Sequence, residues 1–164
     1  MSAIPKLPDV SSIGTLLSGI LGRKVVVAKA PPLDLGPKVA KVFGVYREAS
    51  TGRICVCVVD LVFAANAAGA MLVFPPYAVA NAIRAGKLDD DLLETIREIL
   101  NICSRCFHEE ARVVLAEVCS DLNSVPADAA QVMKTPLLRS DVSASIAGYA
   151  EGRLTLMLGK PVQG

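Results

Sequence analysis

The stretch ETIREILNICSRCF, residues 94 to 107, holds two pairs of functional side chains at one spacing: Glu98 with Asn101, and Cys103 with Cys106. Each pair suits a different chemistry. A carboxamide is a poor base, yet it donates and accepts hydrogen bonds at once and so can hold a water molecule in a set orientation. Phosphoryl transfer depends on positioning more than on covalent catalysis, and an amide that aligns the attacking water supplies that positioning. A carboxylate beside it anchors a cation on a partner. Two thiols, joined by Cys55 and Cys57 from another segment and with His108 as a substitute, would instead offer soft ligands to zinc.

Helical periodicity separates the two pairs. At about 100° per residue, Leu92, Leu93, Ile96, Ile99, Leu100, Cys103, Cys106 and Phe107 gather on one broad face. Glu94, Glu98, Asn101 and Arg105 fall in a narrow stripe on the other side. Glu98 and Asn101 are therefore neighbours one turn apart, on an element that fixes them better than a loop does. The thiols belong to the core side, where free cysteine acts as a small hydrophobe, and a mid-helix CxxC has no cap to activate it. For the stripe, the plain alternative is a solvated face on which Glu98 pairs with Arg97 or Arg105.

The elements that must position this helix are legible around it. Three aspartates, Asp89 to Asp91, favour its N-terminus. It is expected to end near Ala111, with His108 close to its C-terminal dipole, before the β-branched RVVLAEV reads as a strand. Upstream, residues 11 to 22 form an amphipathic helix ended by Gly22, and 24 to 29 a strand. VAKVFGVYRE and RICVCVVD around ASTG form a hairpin. Two alanine-rich helices follow: 61 to 72, capped by Asp60, and 76 to 85, with Pro76 in its first turn and Gly86 at its end. Downstream, SVPADAAQVMK predicts a short helix capped by Ser124, and the tail two strands around a Glu151–Gly152 turn. This order predicts an α+β domain, an antiparallel sheet covered by helices.

Composition narrows the function classes. The 164 residues suit one domain, and with 52% hydrophobic and 20% charged residues the chain is not disordered. A net charge of +1, with four Phe, three Tyr and no Trp, argues against nucleic acid as a partner. A mean hydropathy of +0.48 calls for a destination for apolar surface. Residues 54 to 74 have the length of a membrane span, but Asp60 is costly in hydrocarbon, and the stretch reads better as a buried strand and a capped helix. No membrane association is expected, and a homodimer interface is the expected sink. The N-terminal segment lacks a basic signal-like region, and five cysteines are an odd number, so reduced thiols and a cytoplasmic protein are expected.

Glu98-x-x-Asn101, on an amphipathic helix that follows a hairpin and an alanine-rich helix, resembles the signature of the CheC/CheX/FliY phosphatases of bacterial chemotaxis. The order of elements agrees over roughly residues 10 to 158, and Pro126 lies near the position of that signature's downstream proline. The chain carries one such helix, as CheX-like members do, and those members dimerise. The resemblance implies hydrolysis of the aspartyl phosphate of a phosphorylated CheY-like response regulator, with Asn101 aligning the water and Glu98 holding a lysine of the regulator. It implies no cofactor in this chain, the Mg2+ being the regulator's. Two positions depart from the pattern: Glu94 stands where the family has Asp or Ser, and Arg105 stands where it usually has a small residue. Both are candidate contacts to partner or phosphate. The alternative of another class is a non-catalytic chemotaxis or flagellar-motor adaptor of the same fold.

Overall fold

The structure, a computed structural model, describes residues 5–107 and 112–162. Asp9 accepts a hydrogen bond from the Ser12 N–H and opens α1 (Val10–Leu21), which Gly22 closes in the left-handed region. After β1 (Val25–Lys29), the strands β2 (Lys41–Glu48) and β3 (Ile54–Asp60) form the expected hairpin. Asp60 then caps α2 (Leu61–Met71), accepting from the Phe63 N–H at 2.8 Å. The stretch long enough to span a membrane is thus a strand and a helix, and among the described residues no helix is long and apolar enough to cross one. α3 (Pro76–Ala85) starts on its proline and ends at Gly86. α4 (Asp90–Ile102) is the signature-bearing helix, capped by Asp89, which accepts from the Leu92 N–H. β4 (Val113–Cys119), α5 (Ala127–Lys134), β5 (Leu138–Ile146) and β6 (Gly152–Leu158) complete the chain.

All six strands pair antiparallel in one sheet, in the order β1-β5-β6-β3-β2-β4. Both faces are covered. On one, Tyr46, Cys55, Cys57, Val59, Leu154 and Leu156 pack with Ile13 and Leu17 of α1, Phe63 and Ala67 of α2, and Ile96 and Ile99 of α4. On the other, Phe43, Val45, Val56, Val58 and Met157 pack with Ala129 and Met133 of α5 and with Leu33. Strand β3 is consequently buried on both sides from Ile54 to Val59. Each such aliphatic side chain contributes about 1.5–3 kcal/mol. The two-sided core takes up the apolar excess inside one chain, so the hydropathy by itself does not require a dimer interface.

Two tight approaches set the layer spacing. A Cβ on Gly69 of α2 would lie 2.3 Å from a Val79 methyl of α3, and a Cβ on Gly152 of β6 would lie 2.4 Å from the Phe63 backbone. The second explains a departure from the sequence reading. Gly152 begins β6 and lets α2 sit on the sheet, while the turn falls earlier, at Ala147–Gly148, where Gly148 has φ 89°. Asp141 of β5 fixes the long loop before β2: it accepts from Arg139, Thr155 and the Leu33 N–H. Burial alone would push its carboxyl up, but these hydrogen bonds outweigh it and hold the group below its ordinary value.

Three further departures have local causes. The α-helix ends at Ile102 and tightens into a 3₁₀ turn over Cys103–Phe107. With three residues per turn, that segment keeps Cys103 and Cys106 on the core side as the chain turns toward β4. The expected end near Ala111, with His108, lies outside the described residues. Ser124 does not cap α5: it closes a 3₁₀ turn whose cap is Asp121, and Pro126 occupies the N-cap position without a side-chain bond.

The Tyr46 hydroxyl, fully buried, donates to the Leu100 carbonyl of α4 at 2.6 Å. Its ring meets Phe107 at 5.1 Å between centroids. Replacing Tyr46 by Phe leaves that carbonyl without its phenol donor. Denaturant unfolding should show a loss of about 1–3 kcal/mol, the cost of an unmade buried hydrogen bond; an unchanged midpoint would deny the bond its structural role.

Candidate functional site

Helix α4 forms because its cap, its acidic first turn and its apolar face agree. Leu92, Ile96, Ile99 and Leu100 are buried, and Thr95 is buried with its hydroxyl returned to the Asp91 carbonyl at 2.8 Å. The opposite face carries the stripe expected from the wheel: Glu94, Glu98 and Asn101 are all exposed, as is Arg105 on the 3₁₀ turn beyond. Glu98 and Asn101 are one turn apart, with about 5–6 Å between their Cβ atoms by helical geometry. Neither side chain hydrogen-bonds or ion-pairs with another described residue. The plain alternative, Glu98 tied to Arg97 or Arg105, is not what the side chains do.

The surroundings divide into grooves around this pair. One, of about 320 Å³, runs between α4 and β4 and is lined by Arg97, Glu98, Asn101 and the strand residues Leu115, Ala116 and Glu117. Its strand wall is irregular: the β2–β4 register shifts between Val45 and Tyr46, which face Glu117 and Leu115, so Ala116 is an extra residue. Such a bulge bends an edge strand and re-aims its side chains. A smaller hollow of about 220 Å³ continues past Asn101 to Ser104, Arg105, Arg112 and Val113. A third groove, on the far side of Glu98, is bounded by α4 and the α2–α3 turn. Glu98 thus borders two grooves and Asn101 two, sharing the middle one.

Hydropathy and helix phase point to the polar stripe but carry no mark of the two walls beside it. Residues 115–117 and 71–74 face α4 only through tertiary packing, and nothing in their local pattern marks them. Pro126, the downstream proline of the resemblance, begins α5, whose Ala129 and Met133 pack on the opposite side of the sheet.

The thiols lie elsewhere in character. Cys55, Cys57, Cys103 and Cys106 are buried in the α4-side core. Burial pushes the Cys55 and Cys106 thiols up to about 12 and raises Cys57 and Cys103 as well. Among the described residues no group of three or more His, Cys, Asp or Glu is arranged to hold a metal ion. A thiol held protonated is a poor nucleophile and a poor ligand.

No family model and no curated protein matches this chain. Solved structures do. The middle domain of FliM from H. pylori superposes with a TM-score of 0.66 at 14% identity, covering 93% of this chain and 85% of that one. FliY from Thermotoga maritima gives 0.58 at 14% identity, covering 93% and 85%. A chemotactic CheC-like protein from Shewanella oneidensis gives 0.50 at 10% identity, covering 91% and 92%. The chain has the fold to which the sequence resemblance pointed, and the FliM middle domain shares it. At such identities the likeness concerns the fold, and the chemistry rests on the side chains.

The buried thiols yield a direct test. In native buffer at pH 8, iodoacetamide should label Cys55, Cys57 and Cys103 slowly, and all five cysteines rapidly once the chain is unfolded, as read by intact mass. Fast native labelling of Cys103 would contradict its place in the core.

Proposed function

We propose that this chain is a phosphatase for the aspartyl phosphate of a CheY-like response regulator in chemotaxis or flagellar signalling. The observation that carries the proposal is the pair itself: an exposed carboxamide and an exposed carboxylate, adjacent on a rigid helix, free of other described side chains and bordered by a groove. An acyl phosphate is already an activated leaving group, so the enzyme's task is to place a water in line with it. Asn101 accepts a hydrogen bond from that water and directs its oxygen at phosphorus. The bond from phosphorus to the aspartyl oxygen breaks, and inorganic phosphate and a free carboxylate result. Glu98 receives a lysine of the regulator and sets the approach. Arg105, in the hollow beside Asn101, contacts the phosphoryl oxygens, and Glu94, one turn before Glu98, contacts the regulator itself. The Mg2+ belongs to the regulator, and no cofactor is assigned to this chain. The homodimer belongs to the same reading, through the resemblance to single-motif CheX-like members.

A second reading has its own support. The FliM middle domain gives a higher TM-score than the CheC-like protein, and FliM from H. pylori is also known in a complex with FliG. On that reading the stripe is a recognition surface of a flagellar adaptor, and no phosphate is released.

Phosphate release from acetyl-phosphate-charged CheY-type regulators separates the two. Wild type should accelerate release, and Asn101→Ala should lower the rate by about a hundredfold, the usual size for losing one positioned polar group in a transition state. Equal rates for the two proteins would remove catalysis at this site and leave the adaptor.

A further inference from the structure

The arginines of this chain fall into two groups. Arg47, Arg53 and Arg139 pair with Asp128, Glu48 and Asp141, while Arg23, Arg84 and Arg153 donate to Ala147, Asn81 and Pro31. Arg97, Arg105 and Arg112 form no ion pair or hydrogen bond with another described residue. All three border the two hollows that meet at Asn101. Guanidiniums without a partner are thus gathered at one place.

Their surroundings differ. Arg97 shares the middle groove with Glu98 and Glu117, which balance its charge. Arg105 and Arg112 share the hollow of about 220 Å³ past Asn101, and no carboxylate of a described residue lines it. They come from separate elements, the 3₁₀ turn and the residue before β4. On its other side Arg105 borders a hollow with Lys6 and Asp9, one charge of each sign, and it makes no ion pair with Asp9. The carbonyl end of α4 offsets only about half an elementary charge, so two full positive charges remain in excess. Ser104 lines the same hollow, is 8% exposed, and its hydroxyl hydrogen-bonds to no other described residue. A largely buried hydroxyl without a partner is costly, and an anion would supply one.

We propose that this hollow is a binding site for free inorganic phosphate. A tetrahedral oxyanion accepts from both guanidiniums, from the Ser104 hydroxyl and from the Asn101 amide, and its negative charge offsets the arginines. The binding stands without the phosphatase reading, and one consequence rests on that reading. Phosphate released at Asn101 stays in the adjoining hollow and occupies Arg105, which the next phosphoryl group needs. Free phosphate therefore inhibits turnover by retention of product.

The test titrates sodium phosphate into 15N-labelled full-length protein, without a regulator and at constant ionic strength kept with sodium chloride. The side-chain amide of Asn101 and the backbone signals of Ser104 and Val114 report binding by nuclear magnetic resonance. Wild type should saturate, and Arg105→Gln and Arg112→Gln should each raise Kd about tenfold, the loss of one charge-assisted bond. Both arginines are exposed, so the melting temperatures of these variants should match wild type. In a second arm, loss of 32P from a charged CheY-type regulator should slow as unlabelled phosphate is added. Relative to its own starting rate, Arg112→Gln should need about tenfold more phosphate for the same slowing. A titration that does not saturate, or wild-type Kd values in both arginine variants, would overturn the site, and Asn101→Ala would still decide the phosphatase reading. Saturable, arginine-dependent binding by a protein that leaves the regulator phosphorylated would keep the site and overturn the phosphatase reading. Such binding with turnover that phosphate does not slow would keep the site and overturn the retention of product.

Discussion

The hydrogen bond from the Tyr46 hydroxyl to the Leu100 carbonyl is the contact on which the site's geometry depends. It joins β2, the strand next to the β4 edge, to the last turn of α4, one residue before Asn101. Gly44, two residues earlier on β2, leaves the space that the phenol fills; a Cβ there would lie 3.1 Å from the hydroxyl. Phe107, beyond the end of α4, leans on the same ring. Burial raises the phenol well above its ordinary value, so the group stays protonated and remains a donor at any physiological pH. Helix, 3₁₀ turn and strand thus meet at one side chain, and the backbone next to Asn101 is held from beneath.

A second constraint acts from the side. Helix α2 is buried from Phe63 to Ala70 and carries little more than alanine and glycine there. Small side chains bring it close to β6 at Phe63 and to α3 at Gly69, and it also packs against α4. Close packing leaves little freedom to shift, so the α2–α3 turn is held at a fixed distance from the acidic face of α4. The same compact helix that fills the core therefore builds one wall of a surface groove.

The outward pairing of Glu98 and Asn101 could be read from helical phase, because the apolar positions 92, 96, 99 and 100 leave them a single direction. The hairpin and the Asp60 cap were equally plain, since alternation, turn residues and a capping acid agree at those places. Other features depended on contacts between distant segments. Cys103–Phe107 has no breaker to announce a 3₁₀ turn; it tightens because Cys103, Cys106 and Phe107 must all reach the core. Gly152 looked like a turn residue but is required by the Phe63 backbone above it. The second core could not be read from composition, because it exists only once α5 has crossed to the far side of the sheet. The groove walls at 71–74 and 115–117 exist only once the layers have assembled.

On the proposed function, an activated regulator sits on the outer face of α4 with its phosphoryl group at the Asn101 amide. The most direct measurement is a nuclear magnetic resonance titration of 15N-labelled protein with a beryllofluoride-activated CheY-type regulator. The side-chain amide signals of Asn101 and the backbone signals of Glu94 to Asn101 should shift or broaden together, and the α5 side of the sheet should stay unchanged. Perturbations confined to α5 or to the β1 edge, with the Asn101 amide unmoved, would contradict the account.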